Sequence, residues 1–319
     1  MEISPGIHRI EAPLGERYVA LYLIIGDASS MLVDTGLDES VAGSLLPYLR
    51  SIGHAPERLA YVVNTHGDFD HVGGNAALRV AAPDAKLLVG RGDVHLVENV
   101  ETMIAQRYGE FAAPHGFDEP DDTKTFIRSV TRTTTVDLPV DGGETFDLGG
   151  RTVQVLHVPG HSDGHLAVHD LTTNTLMIGD AVLSDSVLTA DQHPAFPPTY
   201  RKVPDYRATI GTLTGLRPAI LATAHYPLHD LTSGAEFLAG SLAYADRVDA
   251  VVGDIVTGAS APLTLMDIVR ASHPRLGPWD PVSAQYLVYP VLGHLEDLES
   301  RGVVTRQVPS TGHHTWTRS

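Results

Sequence analysis

Two imidazoles and two carboxylates fall within six consecutive residues, His66-Gly67-Asp68-Phe69-Asp70-His71, a density with little use in an ordinary loop. Neutral imidazole and ionised carboxylate are the side chains that take zinc, iron or manganese. Asp and His also cap helices and satisfy backbone donors in loops, so a metal centre needs further ligands from elsewhere in the chain. Three polar segments offer them: Pro159-Gly160-His161, Gly179-Asp180 and Ala224-His225-Tyr226. With no cysteine in the chain, thiolate chemistry and disulfides are excluded, and any ion must be held by histidine and carboxylate.

Each segment follows a run that reads as a strand, the place where α/β proteins put their chemistry. Leu59 to Val63 leads into the His66 loop, and Val153 to Val158 leads into His161. Leu176 to Ile178 leads into Asp180, and Ala219 to Ala222 leads into His225. Earlier runs at Ile7 to Ile10, Tyr18 to Ile25 and Met31 to Val33 suggest antiparallel strands. Glu39 to Ile52 carries Val41, Leu45, Leu46 and Leu49 at helical spacing, closed by Gly53. Further helices are expected over Asn75 to Ala82 and Asp93 to about Arg107, with a strand at Lys86 to Val89 between them. Glu144 to Leu148 and Val153 to Val158 form one hairpin across Gly149-Gly150. Leu166 to His169 and Leu176 to Ile178 form another. The pattern predicts an α/β chain, two halves of a sandwich whose loops converge on one edge.

The loop resembles the metallo-β-lactamase superfamily motif His-x-His-x-Asp-His, with Asp68 where the family usually has histidine. Asp34 in Asp-Thr-Gly, His161, Asp180 and His225 resemble the family's other landmarks, in order, so the resemblance covers roughly residues 5 to 235. It implies an αββα sandwich of the metallo-β-lactamase fold with a dinuclear site. By that resemblance His66, Asp68 and His161 hold one ion; Asp70, His71 and His225 hold the other; and Asp180 bridges them. Asp34 would hydrogen-bond behind the His66 loop. The cofactors implied are two divalent metal ions, with zinc expected and iron or manganese left open by the harder Asp68 oxygen; the alternative is that Asp68 is not a ligand and only one metal binds tightly. The resemblance extends to the flavodiiron branch, which uses a glutamate at position 68, although this chain shows no flavin-binding domain.

The implied chemistry is hydrolysis by a metal-bridged hydroxide, with Asp70 orienting the water or moving its proton. Tyr226 is a second catalytic candidate, as a donor to a developing oxyanion. The expected substrate is a small thioester, ester or lactone. A di-iron redox or oxygen-active protein of the same fold, a phosphoesterase, and a nucleic-acid-binding regulator with a vestigial metal site are the alternatives. Weaker candidates are His165 as a strand-start residue, His193 in a substrate-contacting loop, and Phe69 packed beneath its loop. Tyr108, Phe111, His115 and Phe117 would line a lid or form the insert's own core.

The domain organisation expected is a catalytic domain over 1–245, with an insert at about 93–136, and a C-terminal segment over 246–319. Within that segment, helices near Leu263 to Val269 and Val282 to Ser300 precede a strand-like Val303 to Val308, a winged-helix-like order. From Pro262 onward it holds five arginines, five acids and no lysine. With a net charge of -17 overall, nucleic-acid binding is disfavoured. The longest apolar run, Val19 to Ile25, is too short to cross a bilayer, and the N-terminal stretch has no basic-then-apolar pattern. A cytoplasmic enzyme acting on a small molecule is expected, free of membrane and nucleic-acid partners and compatible with a homodimer.

Overall fold

The computed structural model describes residues 1–319. Arg17–Ile25 and Ser30–Val33 are almost continuously apolar because both of their faces are covered. Tyr22, Ile24, Met31 and Val33 point into the space between two sheets, while Leu21, Leu23 and Leu32 point outward under helices. The first sheet runs in sequence order through Glu2–Ser4, Ile7–Leu14, Arg17–Ile25, Ser30–Val33, Leu59–Asn64, Lys86–Gly90 and Leu138–Val140. Its first four strands are antiparallel, and from Ser30–Val33 onward the pairings are parallel.

The second sheet is ordered His229–Asp230, Ile220–Ala222, Thr175–Met177, Leu166–Asp170, Thr152–His157, Thr145–Asp147. Val153, Val155, Leu166, Val168 and Met177 meet the inner face of the first sheet. On its outer face Leu176 and Leu221 pack against Val203, Tyr206, Ile210 and Leu213 of helix Val203–Leu216. Helical segments over 38–51 and 75–81 cover the first sheet. The architecture is therefore an αββα sandwich, and the strand ends expected to carry ligand-type residues lie where the sequence analysis puts them.

Two elements differ from expectation. The helix expected from Asp93 to Arg107 is broken into short pieces, Arg91–Asp93, Val94–Val97, Val100–Met103 and a π-helical turn at Ile104–Tyr108. Such wide turns rotate the residues that follow them, and they are frequent at functional sites. A 28-residue helix, Leu231–Gly258, occupies a stretch to which the sequence analysis assigns no element. Its start is fixed by Asp230, whose carboxylate accepts hydrogen bonds from the backbone N–H of Thr232 and Ser233.

This helix also moves the expected domain boundary, because residues 245 and 246 lie inside one continuous rod. Leu238 and Ala245 pack on the second sheet, whereas Tyr244, Val248, Val252 and Val256 enter a separate C-terminal core. That core holds helices Leu265–Leu276 and Val288–Ser300. A three-stranded sheet, ordered Leu263–Thr264, Thr315–Arg318, Val304–Gln307, closes it. Phe111 and Phe117 of the insert are built into the same core. No helix is long and apolar enough to cross a membrane.

Trp316 is fully buried at the centre of this core. Trp316→Ala is expected to remove about 3 to 5 kcal/mol of stability. Urea denaturation followed by circular dichroism checks this, and a loss below about 1 kcal/mol would show that the unit does not depend on that ring.

Candidate metal centre and substrate cavity

Strand Leu59–Asn64 ends in the backbone of Thr65 and His66, which Asp34 fixes from the neighbouring strand end. Asp34 is buried in left-handed backbone, φ 61°, an uncommon conformation that aspartate tolerates better than most residues. Its carboxylate accepts from the Thr65 N–H at 2.7 Å, the Thr65 hydroxyl at 2.8 Å and His71 Nδ1 at 2.8 Å. Asp34 thus orients the His66 loop through Thr65 and His71, and leaves His71 Nε2 facing the site. The same logic holds for His225, whose Nδ1 donates to the Tyr18 carbonyl at 2.8 Å. Gly179, φ 50°, approaches Thr65 so closely that a Cβ there would lie 2.6 Å from its hydroxyl oxygen, which brings Asp180 against the His66 loop.

The structure brings all seven expected ligand-type residues together. Three groups have potential ligand atoms within 4.8 Å of one another: His66, Asp68 and His161; Asp70, His71 and His225; and His66, His71 and Asp180. His225 Nε2 lies 3.5 Å from Asp70 Oδ2 and 3.3 Å from Asp180 Oδ2, and His71 Nε2 lies 3.7 Å from the latter. His66 Nε2, His71 Nε2 and Asp180 Oδ1 are buried without a hydrogen-bond partner. Buried polar atoms left unpaired and aimed at one point are what a cation site requires. Around Asp70, His71, Asp180 and His225 the residues therefore fit a divalent ion.

The electrostatics follow from burial. Burial favours a neutral Asp180, but the His225 and His71 imidazoles overcome it and hold its carboxyl well below the usual range. His71 is pulled the opposite way from burial, to well above the ordinary imidazole value, by Asp34, Asp70 and Asp180. His66 faces no such excess of carboxylates, and burial together with His71 pushes it down to about 3. His165 is stacked on His66 at 4.7 Å between ring centroids, and burial keeps it neutral, so it packs behind a ligand-type residue.

The sequence analysis assigns Asp68 no partner other than an ion, and the structure supplies one. Arg107, in the π-helical turn of the insert, grips the Asp68 carboxylate with two hydrogen bonds, Nε to Oδ1 at 2.7 Å and Nη2 to Oδ2 at 2.8 Å. Nη2 also lies 2.8 Å from His161 Nε2, and Nη1 donates to the His161 carbonyl at 3.2 Å. Burial raises the Asp68 carboxyl and the guanidinium lowers it further, so it stays well below the usual range. Asp93 is likewise missed by sequence reasoning. Its carboxylate accepts from the Ser162 hydroxyl at 2.6 Å, the Gly164 N–H at 2.8 Å and the Gly67 N–H at 3.1 Å, tying the His66 and His161 loops together. The one available signal for Arg107 is Asp68 itself, since an extra buried carboxylate demands a cation.

Tyr226 does not reach the site. Its hydroxyl donates to the carbonyls of Leu183 and Ser186, its ring packs on Phe237, and burial raises its phenol well above the ordinary value. With its single proton committed to backbone, it has none to offer an oxyanion, which corrects the sequence expectation. His193 is exposed and outside the cavity, and His115 stacks on Trp316 in the C-terminal core. Phe69 faces the cavity with Tyr108 and Phe126 instead of packing beneath its loop.

Asp70, Asp180 and His225 open into a cavity of about 270 Å³. Phe69, Tyr108, Phe126 and Phe196 give it aromatic walls, and Tyr286 and Tyr289 of the C-terminal unit complete them. Glu119 lines the same space, accepting from the Tyr286 hydroxyl at 3.2 Å, and burial pushes its carboxyl up to about 7.

An αββα sandwich with imidazole and carboxylate groups gathered at one sheet edge defines the metallo-β-lactamase fold. The family model for the metallo-beta-lactamase superfamily matches residues 14–225, and the chain belongs to that superfamily. It is 31% identical over 231 residues to acyl-coenzyme A thioesterase MBLAC2 of Bos taurus, covering 68% of this chain and 75% of that one. It is 29% identical over 171 residues to a hydroxyacylglutathione hydrolase of Methylococcus capsulatus, covering 54% and 50%. A metallo-beta-lactamase family protein from Thermus thermophilus superposes with a TM-score of 0.76 over 100% of both chains at 21% identity, a likeness of fold.

A carboxyl whose value in the folded chain exceeds its ordinary 4.5 favours folding while protonated. For Glu119 that contribution is complete below about pH 4.5 and is lost as pH rises through about 7. Glu119→Gln is therefore expected to be more stable than wild type at pH 8, by on the order of 3 kcal/mol, and to lose this advantage towards pH 4.5. Denaturant midpoints measured across that range test it, and equal stabilities at the alkaline end would contradict it.

Proposed function

We propose that this chain hydrolyses small thioesters with apolar acyl groups at the metal centre built around Asp70, His71, Asp180 and His225. The observation that carries the reading is the aromatic cavity opening directly onto Asp70, Asp180 and His225. The relatives named as an acyl-coenzyme A thioesterase and a hydroxyacylglutathione hydrolase support the same substrate class. Zinc is the ion we assign, since it accepts this mixture of imidazole and carboxylate.

A divalent ion bound there supplies Lewis acidity, which polarises a carbonyl and brings the pKa of a coordinated water towards neutrality. The chain's own residues do the rest. The aromatic walls take the acyl group and exclude water around it. Asp34 and the Tyr18 carbonyl accept from the Nδ1 atoms of His71 and His225, which turns both Nε2 atoms towards the ion site. The Asp70 carboxylate accepts the proton of the attacking water on an Oδ atom and passes it to the departing thiolate. Water and thioester thus become carboxylic acid and thiol.

We assign the C-terminal segment as a winged-helix-like unit that forms one wall of this cavity, through Tyr286 and Tyr289, in place of a nucleic-acid reader. The di-iron redox alternative rests on Asp68 as an additional oxygen ligand; with that carboxylate bonded to Arg107, its motive is gone.

A panel of acyl-coenzyme A and acyl-glutathione thioesters, lactones, phosphoesters and β-lactams tests the reading. Turnover of short apolar acyl thioesters is expected, abolished by chelation and lowered in kcat by roughly 10²- to 10⁴-fold in Asp70→Asn. Turnover of phosphoesters or β-lactams with no thioester hydrolysis would overturn it.

A further inference from the structure

We propose that the Arg107 guanidinium stands in the place of one of the two expected metal ions, so that the chain binds a single divalent ion, at Asp70, His71, Asp180 and His225. The inference rests on reading the site as a metal centre and concerns how many ions it takes.

His66, Asp68 and His161 lie close enough together to suggest a second ion position. Two of these three groups are already engaged by a cation, and His66 Nε2 is left without a partner. Both Asp68 oxygens accept from Arg107, at 2.7 and 2.8 Å, and Nη2 also approaches His161 Nε2 to 2.8 Å. A guanidinium has no acceptor and keeps its charge in proteins, so it cannot yield these contacts by deprotonation. It is also 7% exposed, where a neighbouring divalent cation would meet like charge with little screening.

Arg107 is held from behind as well. The Tyr289 ring lies 5.1 Å from its guanidinium carbon, and the Tyr289 hydroxyl donates to the Arg107 carbonyl at 3.1 Å. Swinging the guanidinium out would unpack the insert from the C-terminal helix. Aspartate at position 68 fits this arrangement, because a carboxylate receives the planar guanidinium fork in two parallel bonds and an imidazole cannot. No arginine or lysine is hydrogen-bonded to Asp70 or Asp180, so the other position stays open to an ion. Arg107 also lines the substrate cavity.

The test is a count of bound ions in the full-length protein. Apo-protein is titrated with cobalt(II) by visible absorbance, and zinc-loaded, desalted protein is analysed by elemental mass spectrometry. One equivalent per chain is expected for wild type, and two for Asp68→His combined with Arg107→Met. Wild type taking two ions, or none, would overturn the proposal, as would a double variant with native circular dichroism that still takes one. The wild-type count decides the matter even if the double variant does not fold. It is also independent of turnover, so a chain that binds one ion and hydrolyses no thioester would refute the proposed function and support this assignment.

Discussion

Four aspartates, Asp34, Asp68, Asp70 and Asp180, lie buried around one edge of the sandwich, and positive charge must reach them if they are to stay ionised there. The chain answers in two ways. Asp34 and Asp180 face His71, which they draw towards its cationic form, and Asp180 also faces His225. Asp68 has its own permanent cation in Arg107. The two halves of the cluster therefore differ in kind: one faces imidazoles, the other a guanidinium, which keeps its charge in proteins.

Much of the chain outside the sandwich serves to deliver that guanidinium and to wall the cavity beside it. The π-helical turn at Ile104–Tyr108 carries Arg107 and Tyr108 to the site. The rest of the insert is anchored by Phe111 and Phe117 in the C-terminal core, and that unit returns Tyr286 and Tyr289 to the cavity. The long helix Leu231–Gly258 makes these parts one body, since half of it packs on the second sheet and half on the C-terminal helices. The cavity is accordingly walled by residues from three regions of sequence.

The strands and their polar ends follow from residue types and their order along the chain. Apolar runs such as Leu59–Asn64 must be buried, and the His, Asp and Gly that follow them cannot continue the strand. The ligand-type cluster was legible for the same reason, as His66 to His71 are neighbours along the chain and the later residues sit at matching strand ends. The helix Leu231–Gly258 was not, because its apolar residues are divided between two separate cores and never form a single stripe.

What each polar group is bonded to was set by how distant segments pack. Tyr226 is adjacent in sequence to His225, yet one residue's rotation turns its hydroxyl onto the Leu183 and Ser186 carbonyls and away from the cavity. Arg107 lies 39 residues from Asp68 along the chain, beyond any local periodicity, and its role exists only once the insert has folded back over the site. Side-chain type and spacing follow from local chemistry, but which buried charge meets which cation depends on packing between segments that no short-range rule connects.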